Sequence, residues 1–140
     1  MLLIELGVES GRGLVSLAAG NKDNLVVGFD NYHHPTINKN LVNYPNANFF
    51  NLPSLPVPEI VIYSHRKIGL LHIDTEHSYS MAKAEFEAYK SFLAKGAYVL
   101  FDDLHAQDDD GRRYFYELPY EKLEDDRLHP SCGYGVLRYG

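Results

Sequence analysis

Two short segments, Ile68–Tyr79 (IGLLHIDTEHSY) and Ala97–Asp103 (AYVLFDD), constrain this chain more than any others. Each is an apolar run that ends in aspartate, and between them lies a helix-length amphipathic stretch closed by Gly96. The pattern predicts strand, helix, strand, with Asp74, Asp102 and Asp103 gathered at the carboxyl ends of two neighbouring parallel strands. Open α/β sheets bind ligands along that edge. Three carboxylates converging there need a cation, a proton or a positively charged substrate, because like charges close together raise each other's pKa.

The rest of the chain repeats the alternation. Leu2–Leu6 and Leu25–Phe29 read as buried strands and Asn48–Asn51 as a brief third. A glycine-bearing turn, Gly7–Gly13, leads into a short helix over Leu14–Ala19 that stops near Gly20. Pro35 suits a first helical position, and Ile37, Leu41 and Val42 supply one apolar stripe behind it. Alternating strands and helices predict a parallel sheet covered on both faces. A parallel step also needs a crossover, so Pro58–His65 is predicted to be a short helix or irregular crossover despite the β-branched EIVIY run. Tyr79–Lys95 is predicted to be a long helix, with Ala82, Phe86, Tyr89, Phe92 and Leu93 on one face and Gly96 as its C′ stop. After an acidic loop, Arg112–Leu118 can form a short helix, and Lys122–Leu128 and Tyr134–Tyr139 read as an antiparallel edge pair joined by HPSCG.

At 140 residues, 45% of them hydrophobic, the chain is expected to form one domain over residues 1–140. No run of 18 apolar residues is present, so no membrane span is expected. The start, MLLIELGVES, lacks the basic region and cleavage site of a signal peptide, and a single cysteine, Cys132, suits a reducing compartment. The expectation is therefore cytoplasmic. A net charge of −6 argues against nucleic acid as the main partner, since phosphate binding wants a basic patch.

The turn ELGVESGRG (Glu5–Gly13) follows a strand and opens a helix, with the spacing G-x-x-x-G-x-G rather than the G-x-G-x-x-G of dinucleotide enzymes. Glu5 would sit badly beside a pyrophosphate and well beside an ammonium or sulfonium. Asp30, at the end of the second strand, can accept hydrogen bonds from two ribose hydroxyls. A nucleoside carrying positive charge matches S-adenosylmethionine (SAM) better than NAD. A plain tight turn with a surface acid is the bland alternative. Asp74, Asp102 and Asp103 offer hard oxygen ligands, which suit magnesium or another divalent cation. Glu76 could take a proton from a metal-polarised hydroxyl, and His77 is the rival base. His72, inside a strand, reads as a satisfied core histidine, whereas His105 could be a fourth ligand or a substrate contact. A zinc site from His72, His77 and His105 is poorly spaced. Arg112 and Arg113 read as solvated, and Cys132 has no base partner nearby in sequence.

Taken together, HIDTEHSY, the amphipathic helix, KGAYVLFDD and the late GVLRYG strand resemble the class I SAM-dependent methyltransferases of the macrocin O-methyltransferase type. The turn ELGVESGRG is similar to their E-x-G-x-x-x-G-G-S. The resemblance implies a Rossmann-like, mostly parallel seven-stranded sheet of order 3-2-1-4-5-7-6, its last strand antiparallel, with helices on both faces. It implies methyl transfer to a hydroxyl of a sugar or natural-product-like small molecule. By motif, Asp74, Asp102 and Asp103 would hold magnesium, and Glu76, with His77 beside it, would stand in the base position. Glu5, Gly7, Val8, Gly11, Asp30, Asn31, Asn51 and Asp74 would bind SAM. Departures are visible too. Asn51-Leu52-Pro53-Ser54 replaces a G-D-S run, so a carboxylate expected near the adenine amine is missing and backbone groups would read the base. Glu76 replaces an aspartate and reaches further. The chain begins directly on the first strand, without the helices that usually cover the SAM site. A non-catalytic binding or assembly module, and a metal-dependent hydrolase or oxygenase, are the competing readings. The expected partners are a small-molecule acceptor and a second copy of the chain in a homo-oligomer, with neither nucleic acid nor membrane.

Overall fold

Five consecutive residues, Leu2–Leu6, form strand β1, and all five are buried. A strand with no exposed position belongs in the middle of a sheet covered on both faces. β2 (Leu25–Phe29) and β4 (Ile68–Ile73) pair with it in parallel on either side. The structure is a computed structural model that describes residues 1–127 and 131–140. Its remaining elements are α1 (Arg12–Gly20), α2 (Ile37–Leu41), β3 (Ala47–Phe50), α3 (Glu59–Ile62), α4 (Tyr79–Tyr89), β5 (Leu93–Asp102), α5 (Ala106–Glu117), β6 (Glu121–Asp125) and β7 (Tyr134–Arg138). The sheet runs β3-β2-β1-β4-β5-β7-β6. β1 to β5 are parallel, and β7 is antiparallel to both of its neighbours. This is the order and direction that the resemblance implied.

Side chains alternate across a strand, and β1 divides accordingly. Leu2, Ile4 and Leu6 join the larger core with Phe86 and Tyr89 of α4 and Phe115 of α5. Leu3 joins the smaller core with Leu14 and Ala18 of α1 and Ile37 of α2. Glu5 therefore faces the α1 side. β4 alternates in step, so His72 shares that face and stands opposite Glu5 in register.

Tertiary demands overrode local preference in two places. Ile60, Val61 and Ile62 adopt a single helical turn, α3, capped by extended Pro58. Their β-branched side chains favour strands, but the step from β3 to β4 spans the sheet and needs a crossover. The expected helix over Tyr79–Lys95 is shorter than its apolar stripe suggests. α4 ends at Tyr89, a 3₁₀ turn covers Lys90–Phe92, and Leu93 already belongs to β5. Leu93 is buried there as the partner of Ile68. Pairing then resumes at Leu70 with Tyr98, leaving an irregularity in β5 where Gly96 takes a φ of +80. Gly96 thus bends a strand rather than ending a helix.

Within α5, Gln107, Asp108 and Asp109 are not helical, with left-handed φ values of 52, 55 and 63, so the acidic stretch interrupts the element and the expected short helix over Arg112–Leu118 follows it. The edge pair forms with β6 and β7, and β6 ends at Asp125. Leu128 of the expected strand, and His129 and Pro130 of HPSCG, lie outside the described residues. No helix among the described residues is long and apolar enough to cross a membrane.

Candidate functional site

All five parallel strands end on one edge, and the turns that follow them enclose a cavity of about 630 Å³. That lies within the size range of small-molecule sites. Gly7 and Glu9 line it after β1, Asp30 and Asn31 after β2, and Pro53, Ser54 and Leu55 after β3. Asp74, Thr75, Glu76 and His77 line it after β4, and Asp102 and Asp103 at the end of β5. Phe29 and Met81 add apolar wall.

Gly7 is required by proximity. Its φ is +83, and a Cβ there would lie 2.1 Å from the carbonyl oxygen of Asp74. The turn beyond it is held by Asp30. Oδ2 of Asp30 accepts the N–H groups of Val8 and Glu9, each at 2.8 Å, and Oδ1 accepts that of Tyr32 at 2.9 Å. A carboxylate offers about four acceptor positions, so Asp30 keeps capacity for a further donor. Asn51 donates its side-chain N–H to the Asp30 carbonyl at 3.0 Å, and the Gly11 amide donates to Val8. Val8, Gly11 and Asn51 thus shape the loops around the cavity without lining it. Gly7, Asp30, Asn31 and Asp74 do line it.

Glu5 lies deeper than its predicted place beside a cationic ligand. It is 1% exposed, does not line the cavity, and meets His72 Nδ1 at 3.0 Å through Oε1. Burial raises its carboxyl above the ordinary range, and the contact with His72 pulls it back. His72 has the partner expected of a core histidine.

On the other side, His77 Nε2 lies 3.1 Å from Asp103 Oδ2 and 3.9 Å from Asp74 Oδ1. Each of Asp74, His77 and Asp103 offers one ligand atom within 4.8 Å of the others. His77 and Asp103 hold left-handed φ values of 64 and 49, which is uncommon outside glycine. Asp102 stands beside them, and its Oδ1 accepts the Asp103 N–H at 2.9 Å. Burial, then the charges of Asp102 and Glu5, push the Asp74 carboxyl up to about 9. Glu76 is exposed on the cavity rim, its backbone carbonyl held by the Gln107 side chain. The sequence offered His77 as a base and as part of a poorly spaced zinc set with His72 and His105; its three-residue spacing from Asp74 was the available sign that it joins the acids instead.

His105 belongs to another neighbourhood. It pairs with Asp109 at 2.7 Å and approaches Asp126 and Glu124 at 3.4 and 3.6 Å, outside the cavity lining. Arg112 bonds Glu124, and Arg113 bonds Asp110. Cys132 is a half-buried free thiol.

Glu85 was missed altogether. It is 0% exposed on the core face of α4, and its carboxylate accepts the Ser54 hydroxyl at 2.6 Å and the Thr75 hydroxyl at 2.8 Å. Burial raises its carboxyl, opposed by those two bonds. An acid next to Phe86 on the apolar stripe of an amphipathic helix was the signal in the sequence.

Residues 4–104 match a family described as a methyltransferase domain. Among curated proteins, none matches the chain. Several solved structures share the fold. The O-methyltransferase of Bacillus cereus, in complex with SAH, superposes with a TM-score of 0.78 at 16% identity, covering 99% of this chain and 74% of that one. For the TDP-rhamnose 3'-O-methyltransferase of calicheamicin biosynthesis the TM-score is 0.71 at 21% identity, with 99% and 71% covered. An rRNA methylase from Streptococcus thermophilus gives 0.75 at 12% identity, with 99% and 85% covered.

Proposed function

Because the chain belongs to this methyltransferase-domain family, we propose that it is a SAM-dependent methyltransferase that methylates a hydroxyl of a small molecule with the help of a divalent metal ion. One observation carries the reading. A single cavity runs from Asp30, which organises the glycine turn, to the acids Asp74, Asp102 and Asp103. A nucleoside end and an anionic end thus share one space.

At the nucleoside end, the spare acceptor capacity of Asp30 suits a ribose hydroxyl. Phe29, Leu55 and Met81 provide apolar wall for a base. Gly7 keeps the backbone close enough for its neighbours to touch a ligand. Glu5, buried behind the turn, contributes negative potential rather than contact. When bound, SAM supplies a methyl group made electrophilic by its sulfonium.

At the acidic end, the donor set suits a divalent cation. Burial first, and then the charges of Asp102 and Glu5, raise the Asp74 carboxyl, and a cation relieves the repulsive part. Asp74, Asp103 and His77 would hold the ion, with Asp102 beside them. Carboxylate oxygens favour magnesium or manganese, and an imidazole nitrogen widens the choice. When bound, such an ion lowers the pKa of an acceptor hydroxyl. His77 is engaged by Asp103, so Glu76, exposed on the rim, is the residue that accepts the hydroxyl proton. Positioning the hydroxyl against the methyl supplies most of the acceleration. The net charge of −6 disfavours a nucleic-acid substrate and fits a small acceptor.

Calorimetric titration with SAH, with and without Mg²⁺ or Mn²⁺, tests the reading. Saturable binding of both is expected. Absence of SAH binding at millimolar concentration would refute it.

A further inference from the structure

We propose that Glu85 is a positioning residue that turns one wall of the cavity into hydrogen-bond acceptors only, so that the site selects a purine carrying an exocyclic amine over one carrying a carbonyl. This rests on the nucleoside reading above and names the group that reads the base.

The chemistry follows from counting protons. A hydroxyl has one proton and two lone pairs. Ser54 gives its proton to Glu85 Oε1 at 2.6 Å, and Thr75 gives its proton to Oε2 at 2.8 Å. Both residues line the cavity, whereas Glu85 does not. What the two hydroxyl oxygens keep for a ligand is lone pairs. The arrangement is held on both sides, since the Tyr89 hydroxyl, also on α4, donates to the Ser54 carbonyl at 2.8 Å. Ser54 comes from the loop after β3 and Thr75 from the turn after β4, so one buried carboxylate joins two rims of the cavity.

Stability alone does not account for the acid. Burying a carboxylate costs more than burying an amide or an apolar side chain of similar size. Its only hydrogen-bond partners among the described residues are two side chains of the cavity wall. The segment after β3 carries no acid of its own, reading Asn51-Leu52-Pro53-Ser54. Glu85 supplies acceptor character to this wall from beneath, through the hydroxyls. A 6-amino group meets lone pairs there. A 6-oxo group sets its own lone pairs against them, and a buried polar group left unpaired is what makes such sites reject the wrong ligand.

The test compares SAH with S-inosylhomocysteine by calorimetry on the wild-type chain, Glu85→Gln and Thr75→Val. The wild type is expected to prefer SAH by about 10–100-fold. In Glu85→Gln the new amide must donate to one hydroxyl, which then turns its own proton outward, so the preference should shrink about tenfold or more. Thr75→Val removes one acceptor at constant shape and should lose part of the preference, which keeps the proposal testable if Glu85→Gln does not give a cooperative thermal melt. Unchanged preference in a folded variant would overturn the proposal. Equal wild-type affinity for the two nucleosides would overturn it while leaving the SAM reading standing. Binding of neither at millimolar concentration would overturn both.

Discussion

Glu5 and His72 are register partners on neighbouring strands, their side chains meeting at 3.0 Å on the α1 face of the sheet. A Cβ at position 13 would lie 1.8 Å from Glu5 Oε1, so Gly13 lets α1 close over the pair. Glu5 Oε2 and His72 Nε2 have no hydrogen-bond partner among the described residues. The pair therefore sits beneath the carboxyl edge of the sheet as a buried polar contact.

Replacing His72 with alanine leaves the Glu5 carboxyl buried without its partner. The expected loss is about 3–5 kcal/mol in urea unfolding. Adding Glu5→Gln to that variant should restore part of the loss. A single-variant loss under about 1 kcal/mol would show that the contact contributes little.

Asp74 makes stability depend on pH, and the proposed metal site should depend on pH with it. Its carboxyl is raised to about 9 in the fold, against about 4 in an unfolded chain. The folded state binds more protons between those values, so stability is greatest below the lower one and is lost as pH rises toward the upper. Without metal, Asp74→Asn should raise the thermal midpoint at pH 8 by a few degrees and much less at pH 4. Metal requires the carboxylate, so Mn²⁺ affinity should rise from pH 6 to pH 8, with proton release on binding. A pH-independent affinity would count against Asp74 as a ligand.

Asp103→Asn and His77→Ala should separate the two ends of the cavity. Each is expected to weaken Mn²⁺ binding by about 10–100-fold, while SAH affinity changes less than about threefold. Electron paramagnetic resonance counts the free Mn²⁺, and calorimetry follows SAH. Equal losses of both ligands would mean that the cavity is not divided as proposed.

Gly7→Ala brings a Cβ into the Asp74 carbonyl at a φ of +83. An expected loss of about 2–4 kcal/mol, with weaker SAH binding, follows. Gly20→Ala is the comparison, because a Cβ there meets nothing within 4 Å. It should be neutral or stabilise the chain by up to about 1 kcal/mol. Similar effects at the two positions would contradict the close-approach account.

Strand positions were legible because parallel strands buried on both faces read as apolar runs, as Leu2–Leu6 and Leu25–Phe29 do. The acids at the strand ends were legible for the same reason. Leu93 was not. It continues the apolar stripe of α4 at helical spacing, and only its pairing with Ile68 makes it a strand residue. Periodicity contains no information about a partner 25 residues earlier in the chain. The detailed site was hidden likewise. His77 reaches Asp103 through left-handed turns that neither residue type announces, and Glu5 turned inward because β1 alternates from Leu2 onward. Glu85 was overlooked because a lone acid on a helix reads as surface until the face it occupies is known.

The three amides gathered by Asp30 have a thermodynamic consequence. Three hydrogen bonds from within the chain hold the loop that would grip a nucleoside, so association should forfeit little backbone entropy. Encounter and capture should then be one kinetic step, with an observed rate that climbs linearly with ligand concentration and no plateau from a slow closure. Residence time, rather than folding of the loop around its guest, would set how long the cofactor stays.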